Sequence, residues 1–305
     1  MGNNSNLNQA IKNKDDEFYT TYENVEKEVS LYIEQFQNKK ILCNCDNPSI
    51  SNFWKFFEDH FDEYKIKKLG SIYFDQNGSK YTTLCIVDEK KQYNECLLKN
   101  NGDFRNTDNL SIVNDYDIIV TNPPFSLFKE YVDFLMKTEK TFLIVGPMNA
   151  LKYKKIFPLI KEKRMWVGNH CGDMKFRVPD YYEPRATRYW QDETGQKWRS
   201  LGNICWFTNM KVRKKNEKLL LKETFEENKF PKYETYDAID VDRVENIPIG
   251  YRGTMGVPIT FLTKHNPDQF DIIGELNHGC DNAYDYAKPI INGKELYTRI
   301  LIRAI

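Results

Sequence analysis

The stretch from Asp117 to Phe125 constrains the fold of this chain more than any other. It begins with Ile118-Ile119-Val120, an apolar run rich in β-branched residues that is typical of a buried strand. The run ends at Asn122 and two prolines, which cannot continue a strand because proline lacks the N–H that pairs with a neighbour. The pattern therefore predicts Asn122 at the carboxyl end of a strand, where ligands bind in open parallel sheets.

The residues after this strand suit the modification of an amino nitrogen. Such a nitrogen on a heterocycle or an amide is a weak nucleophile because its lone pair is delocalised, and two acceptors are needed to orient its two N–H groups. The Asn122 side chain offers one acceptor, and the Pro123 carbonyl, held by the fixed φ of proline, offers the other. Phe125 could stack on a base swung out of a helix. A Pro-Pro turn that only closes a buried strand is the alternative.

Composition sets wide bounds on function. The chain has 305 residues, enough for one large or two modest domains, and its 44 Lys and Arg balance its 44 Asp and Glu. A DNA-binding face would therefore need local clustering of basic residues. Seven cysteines without regular spacing, and no apolar signal segment, indicate a reducing cytoplasm rather than a disulfide framework. Cys43-Asn44-Cys45 is too tight for a zinc knuckle, and no apolar run reaches membrane-spanning length, so we expect neither a metal nor a membrane partner.

Strand and helix patterns alternate along the first two thirds of the chain. Buried-strand patterns occur at Lys40–Cys45, Lys68–Phe74, Phe142–Gly146, Met165–Gly168 and Ile204–Thr208, and Tyr81–Val87 has the pattern of an inserted hairpin strand. Apolar residues at helical spacing lie between them, as at Val25 and Val29. This order predicts an α/β fold with a mostly parallel sheet. Beyond Lys211 we expect short strands and turns, with a hairpin at Asn292-Gly293 and a short helix starting at Asn266–Phe270.

Five segments stand out by their residue types. They are Glu17-Phe18-Tyr19-Thr20, Cys43-Asn44-Cys45-Asp46, Gly102-Asp103-Phe104-Arg105, Asn122–Glu130 and Met255–Leu262. Together they resemble the motifs of the EcoRI-type adenine-specific DNA methyltransferases. The resemblance extends from Asp16 to the C-terminus, and its last two motifs are long and specific. Asn122-Pro123-Pro124-Phe125 is similar to the catalytic tetrapeptide with which S-adenosylmethionine-dependent enzymes methylate exocyclic nitrogens.

The resemblance implies a fold and a domain order. The fold would be a Rossmann-like class I methyltransferase sheet, mostly parallel with the last strand antiparallel, followed by a C-terminal α+β target-recognition region. Residues 1–14 would be a flexible N-terminus, residues 15–210 the S-adenosylmethionine-binding catalytic domain with an insertion at about 169–201, and residues 211–305 the target-recognition region. The cofactor motifs come first along the chain, the tetrapeptide comes next, and the recognition region comes last. This is a γ-like motif order.

The resemblance also assigns residues to the cofactor, S-adenosyl-L-methionine. The implied binding residues are Phe18, Tyr19, Thr20, Asn44, Asp46, Asn47, Asp75, Asp103, Phe104 and Asn122, and the implied catalytic residues are Asn122, Pro123, Pro124 and Phe125. Asp75 would bond the ribose hydroxyls, Asp103 would accept from the adenine amino group, and Phe104 would pack on the adenine ring. The loop Cys45-Asp46-Asn47-Pro48 departs from the usual cofactor loop because it has no glycine. Because of that departure, the alternative that the chain is a binding module without catalytic activity stays open.

The segment between Asn169 and Leu201 carries arginines interleaved with aromatic residues. Phosphate contact and base stacking need this combination. The predicted DNA-binding residues are Arg177, Arg185, Arg188, Trp190 and Arg199. A solvated β-hairpin without a role in binding is the alternative.

These observations predict a site-specific DNA adenine N6-methyltransferase. It would transfer a methyl group from S-adenosylmethionine to a flipped adenine in double-stranded DNA, without a metal ion. A cognate restriction endonuclease acting separately is the protein partner that the family suggests. Two alternatives stay open: an N-methyltransferase acting on RNA or on a protein glutamine, and a catalytically inactive nucleic-acid-binding module on the same fold.

Overall fold

The structure of the protein is a computed structural model that describes residues 18–74, 82–277 and 287–305. The chain divides into two compact units. The first runs up to Met148 and resumes from His170 to Met210, and the second consists of Asn149–Asn169 and Lys211–Ile305. The predicted flexible segment 1–14 and the predicted ribose ligand Asp75 lie outside the described residues.

A ten-stranded sheet dominates the first part of the chain. Its strands are β1 (Tyr19–Thr20), β2 (Lys40–Cys43), β3 (Lys68–Ser71), β4 (Thr82–Asp88), β5 (Tyr93–Leu98), β6 (Ile118–Thr121), β7 (Thr141–Pro147), β8 (Trp166–Arg177), β9 (Tyr189–Gln191) and β10 (Lys197–Thr208). The α-helices are α1 (Tyr22–Val29), α2 (Ile33–Phe36), α3 (Asn52–Asp59), α4 (Leu110–Asn114), α5 (Phe128–Thr138) and α6 (Phe157–Lys161). Short 3-10 helices cover Ser30–Tyr32, Thr107–Asn109, Phe125–Leu127, Met148–Lys152 and Arg213–Asn216.

The sheet is parallel at its centre and antiparallel at its edges. Its strand order is β1-β8-β10-β7-β6-β2-β3-β4-β5, with β9 paired to β10. Strands β3, β2, β6 and β7 run parallel, whereas β10 is antiparallel to β7. The predicted mixed α/β fold with an antiparallel last strand is thus confirmed, and so is the hairpin strand near Tyr81–Val87, which is β4 paired with β5. Because the chain passes from β2 to β3 on one side and returns to β6 on the other, the carboxyl ends of β2 and β6 flank a switch point of the sheet.

The central strands are mostly apolar, as expected for strands that are covered on both faces of a sheet. Ile41 and Leu42 of β2, and Ile119 and Val120 of β6, are completely buried. Helix α1 begins at a side-chain cap, where the Thr21 hydroxyl accepts a hydrogen bond from the main-chain N–H of Asn24. None of the helices in the described ranges is long and apolar enough to cross a membrane.

Strands β8 and β10 are longer than the sequence predicted. Each has 12 residues, so much of the segment between Asn169 and Leu201 is a β-hairpin that continues these two strands. Met174, Phe176 and Val178 are buried, and this alternation is the sequence signal that the shorter prediction missed.

The second unit contains a separate four-stranded sheet. The strands of the chain after Lys211 are β11 (Glu223–Thr224), β12 (Ile239–Asp240), β13 (Pro248–Ile249), β14 (Met255–Pro258), β15 (Phe270–Leu276), β16 (Ile290–Ile291), β17 (Lys294–Glu295) and β18 (Arg299–Ala304). Two 3-10 helices cover Val244–Asn246 and Ile259–Thr263. The sheet has the order β12-β14-β18-β15. The predicted hairpin at Asn292-Gly293 is confirmed: both residues have positive φ, and they join β16 to β17.

The short helix predicted at Asn266–Phe270 is wrong. Asn266 caps only one turn, in which its side chain accepts from the N–H of Asp268 and its carbonyl accepts from Gln269 and Phe270. Phe270 already belongs to β15, where pairing with β18 extends the backbone. Tertiary pairing therefore overrides the local helix signal.

Candidate active site

Asn122 lies directly after β6, as the sequence predicts. The Pro123-Pro124 turn follows, and the 3-10 helix that begins at Phe125 leads into α5. The Asn122 side-chain N–H group donates to the main-chain carbonyl of Phe18. Its Oδ1 is buried and has no hydrogen-bond partner among the described residues. Since a buried acceptor without a donor is costly, the site presents an acceptor suited to an N–H group of a ligand.

The segment Phe18–Thr20 lies beside the tetrapeptide. β1 pairs with β8, where Tyr19 lies opposite Arg177 and Thr20 opposite Phe176. The Asn52 side chain at the start of α3 donates to the Thr20 carbonyl at 2.7 Å. The Thr20 hydroxyl is a second buried polar group without a partner in the described part of the chain.

Four aromatic side chains form a cluster at this place. Phe18 stacks on Phe125 with ring centroids 5.6 Å apart, and both rings contact Phe176 edge to face. Tyr182 packs edge-on against Phe18 at 6.1 Å. We call these four residues the aromatic cluster. It places Phe125 in a π-rich environment while leaving its ring partly exposed.

Side-chain hydrogen bonds shape the glycine-free loop after β2. The Asn44 side-chain oxygen accepts from the hydroxyl of Tyr131 on α5. Asn47 Oδ1 accepts from the main-chain N–H and the hydroxyl of Ser49, an Asx turn that leads into α3. Ser51 then caps α3 by accepting from two main-chain N–H groups at its start. The loop is thus built without the left-handed glycine conformations of the usual motif.

Asp46 is the most connected residue of this loop. One carboxylate oxygen accepts from the Ser51 hydroxyl at 2.7 Å and the other from the Thr121 hydroxyl. The Asp46 carbonyl accepts from the hydroxyl of Ser71 at the end of β3. Burial raises the pKa of Asp46 to about 6, although the hydrogen bonds from Thr121 and Ser51 act in the opposite direction. The sequence analysis missed Ser51, Ser71 and Thr121, and only Ser51 has a visible signal, its place before an aromatic helix.

The raised pKa of Asp46 predicts a pH dependence of stability. The ordinary pKa of Asp46 is 3.8 and its pKa in the folded protein is about 6, so folding favours the protonated carboxyl. The stability that this preference contributes is fully present below pH ~4 and is lost as the pH rises through about 6. Its size is on the order of 3 kcal/mol, at ~1.4 kcal/mol per pH unit. Asp46→Asn should lack this dependence. Urea unfolding of both proteins between pH 4 and 8 measures it, and parallel pH profiles would contradict the prediction.

Asp103 and Phe104 lie close to the same loop, but Asp103 already has a partner. Partial burial raises its pKa, yet two-pronged hydrogen bonding from the Arg105 guanidinium outweighs this and leaves the pKa lowered. Phe104 is buried edge-on against Tyr131 at 4.9 Å, the residue whose hydroxyl bonds Asn44. The structure therefore brings Phe104 next to the loop after β2 and holds Asp103 as a charged carboxylate.

The five predicted DNA-binding residues lie on strands β8 and β10 and on the segment that connects them. The Arg177 guanidinium lies over the Tyr19 ring at 5.8 Å, and that of Arg185 over the Tyr182 ring at 5.7 Å.

Arg188, Trp190 and Arg199 have partners on the hairpin itself. Arg188 pairs with Asp173 at 2.7 Å, and Arg199 donates to the Thr187 carbonyl. The Trp190 ring stacks on Trp198. Arg185 thus contacts the aromatic cluster through Tyr182.

Comparison with known proteins decides the family. The family described as "Adenine-specific methyltransferase EcoRI" matches residues 6–304. The chain belongs to this family. The methyltransferase is 41% identical to the type II methyltransferase M.EcoRI of Escherichia coli, over 97% of this chain and 95% of that protein. It is 36% identical to the type II methyltransferase M.MpnI of Mycoplasma pneumoniae, over 97% of each chain. No solved structure matches.

Membership of the family confirms the predicted activity at the level of an adenine-specific DNA methyltransferase. It favours DNA over RNA or a protein glutamine as the substrate. Methyltransferases as a class take the methyl group from S-adenosylmethionine. The residues of this methyltransferase fit such a ligand because the Thr20 hydroxyl, beside the loop after β2, is a buried polar group without a partner in the described residues. Among those residues, no group of three or more His, Cys, Asp or Glu side chains could hold a metal ion.

Proposed function

We propose that this methyltransferase transfers a methyl group from S-adenosylmethionine to the N6 atom of a specific adenine in double-stranded DNA. One observation carries the proposal. Asn122 offers a buried acceptor, without a partner in the described residues, at the carboxyl end of β6 and next to two prolines. An amino group with two N–H donors is the ligand that fits one side-chain acceptor and one adjacent main-chain carbonyl.

Catalysis by these residues is mainly positioning. Asn122 Oδ1 and the Pro123 carbonyl accept the two N–H groups of the adenine and fix the direction of its nitrogen. S-adenosylmethionine supplies an electrophilic methyl group on a sulfonium that becomes neutral on transfer. Holding the nitrogen in line with that methyl turns a bimolecular step into an intramolecular one. The C–S bond breaks as the N–C bond forms, and the nitrogen, now cationic and acidic, releases one N–H proton to water, so no strong general base is needed.

The base is expected to leave the duplex before it reacts. Methylation at an amino group inside a stacked helix requires extrusion of the base, and stacking on protein aromatics compensates part of the cost. The partly exposed ring of Phe125 supplies the stacking surface, and its contacts with Phe18 and Phe176 fix its orientation. Pro124 sets the chain direction between the acceptor and this ring.

The cofactor would lie at the carboxyl ends of β2 and β6. Phe18–Thr20, the loop Asn44–Asn47, and Asp103 with Phe104 would hold it, with Asp75 as the proposed ribose ligand. The strand order supports a Rossmann-like class I sheet in the catalytic domain, residues 15–210. We assign residues 211–305 to target recognition because the first domain's motifs are used for cofactor and chemistry. The type II names of the relatives suggest work beside a separate restriction endonuclease.

Sequencing of DNA from cells that express the chain tests this proposal. Cells without their own adenine methylation should show N6-methyladenine at one short motif, and the Asn122→Ala variant should show none. Purified protein incubated with labelled S-adenosylmethionine and duplex DNA, or with RNA, separates DNA from RNA as substrate. Label incorporated only into RNA, or unmodified adenines throughout the genome, would overturn the proposal.

The predicted DNA contact of Arg185 can be tested against that of Arg188. The Arg185 guanidinium lies over the Tyr182 ring of the aromatic cluster, and Arg188 pairs with Asp173. If Arg185 contacts a phosphate, Arg185→Ala should weaken cognate and scrambled duplexes alike and lower the salt slope by about one unit. If it contacts a base, it should lose ~1–3 kcal/mol on the cognate site only. We expect a smaller loss for Arg188→Ala.

Binding across a salt series, on the motif found by sequencing, measures both effects. Lys90→Ala is the control, because Lys90 lies in the turn that joins β4 to β5, at the opposite edge of the sheet. Unchanged affinity, salt slope and discrimination in both arginine variants would place recognition wholly in residues 211–305.

A further inference from the structure

Asp46 joins four elements of the first unit at one buried point. Its side chain connects the loop after β2 to the cap of α3 through Ser51, and to the end of β6 through Thr121. Its main-chain carbonyl connects the loop to the end of β3 through Ser71. Thr121 and Ser71 are completely buried, and Asp46 is 8% exposed. Such a joint holds the ends of three parallel strands in a fixed relation.

The carboxylate depends on neutral donors. Cys43, Cys45 and Tyr131 face it, and burial raises the pKa of each, so they stay neutral between pH 5 and 8. Hydroxyls and the amino end of α3 are therefore the groups that stabilise the negative charge of Asp46. Removing one hydroxyl should raise the pKa of Asp46, since the hydrogen bond from Thr121 lowers it.

Thr121 is the residue directly before Asn122. Its hydroxyl is fixed to Asp46, and the Asn122 side chain is fixed to the carbonyl of Phe18. The first contact fixes the end of β6, and the second fixes the amide group of Asn122. The direction of Asn122 Oδ1 therefore depends on the contact between Thr121 and the loop after β2.

We propose that Asp46 and Thr121 are positioning residues whose hydrogen bond transmits the conformation of the loop after β2 to Asn122. The proposal rests on the function given above, in which the loop holds the cofactor and Asn122 orients the adenine. Ionised Asp46 accepts from both hydroxyls and keeps Asn122 aligned. Protonated Asp46 must itself donate, which weakens its hold on Thr121. The cofactor loop and the catalytic acceptor thus work as one unit.

Four variants test this link. Thr121→Val removes the hydroxyl at nearly constant volume, and Thr121→Ser keeps it. Asp46→Asn removes the charge. Thr208→Val is the matched control, because Thr208 is a completely buried threonine of β10 whose hydroxyl donates to the Phe142 carbonyl instead. For each protein, kcat, KM, the affinity for S-adenosylmethionine by calorimetry, and the pH profile of kcat are measured.

We expect Thr121→Val to lower kcat about 10- to 100-fold, the scale of a buried hydrogen bond to a charged group, with a smaller change in cofactor affinity. If turnover requires ionised Asp46, whose pKa burial raises to about 6, the wild type should show an acid limb of kcat that moves to higher pH in Thr121→Val and stays in place in Thr121→Ser and Thr208→Val. The double variant Asp46→Asn/Thr121→Val should cost little more than the worse single variant.

A folded Thr121→Val protein with wild-type kcat and acid limb overturns the inference, and so do effects that multiply in the double variant. If Thr121→Val does not fold, Thr121→Ala takes its place with the same criteria. The proposed function is judged separately by the wild type and Asn122→Ala. A wild type that methylates DNA together with an unchanged Thr121→Val variant refutes only the positioning link.

Discussion

Asn122→Ala should abolish methyl transfer while the protein stays folded and keeps much of its cofactor binding. The change removes the buried Oδ1 that accepts one adenine N–H, and it removes the donor to the Phe18 carbonyl. Loss of one preorganised hydrogen-bonding group at a reacting centre lowers turnover by roughly 10²–10³-fold, and here the group also sets the direction of attack. Single-turnover transfer to the cognate duplex measures the loss.

Asn209→Ala provides the matched control for this experiment. Asn209 also follows a strand, β10, and its side chain bonds the main chain of Phe142 and Lys140. It should lose some stability without the loss of transfer. Near-normal turnover in Asn122→Ala, with calorimetry showing intact cofactor binding, would refute the catalytic role of Asn122.

The fold around Asn122 was predictable because its strands are covered on both faces. Such strands give continuous apolar runs, so β2, β6 and β7 were found from the sequence, and the two prolines marked the end of β6. The place of Asn122 at that end followed from the same reasoning. Residue types and their order along the chain were therefore enough to predict these strands and the position of Asn122.

The contacts of the site were not predictable, because they join residues far apart in the chain through groups without a signature. Asn122 donates to the carbonyl of Phe18, 104 residues away, and any residue has a carbonyl. Ser71 and Thr121 are common small polar residues, and only the fold brings their hydroxyls to Asp46. The aromatic cluster was likewise hidden, since its members come from three separate segments.

The missed length of β8 has a different cause. Asn169 to Asp173 is polar and partly exposed, and it interrupts the apolar alternation before Met174. Pairing with neighbouring strands carries the extended backbone through this stretch. A prediction from the local pattern therefore ends the strand at the interruption, but in the folded protein the strand continues because it is paired with its neighbours.

Phe125→Ala should lower kcat/KM for the cognate duplex by roughly 10- to 100-fold, because stacking of a base on an aromatic side chain contributes ~1–3 kcal/mol. Phe125→Tyr and Phe125→Trp should keep part of the activity, since each retains a π surface. The ring now stacks on Phe18 at 5.6 Å. A base between the two rings would need about 7 Å, two van der Waals contacts, so the adenine either takes the outer face of Phe125 or the rings separate.

A fluorescent adenine analogue at the target position distinguishes loss of stacking from damage to the site. Its emission should rise when wild-type protein binds the cognate duplex, because the analogue leaves its neighbouring bases, and the rise should be smaller with Phe125→Ala. Tyr93→Ala is the control, since Tyr93 is an exposed aromatic residue of β5 at the far edge of the sheet. Because flipping must precede transfer to N6, an analogue that stays quenched in a tight cognate complex would rule out base extrusion and, with it, the role assigned to Phe125.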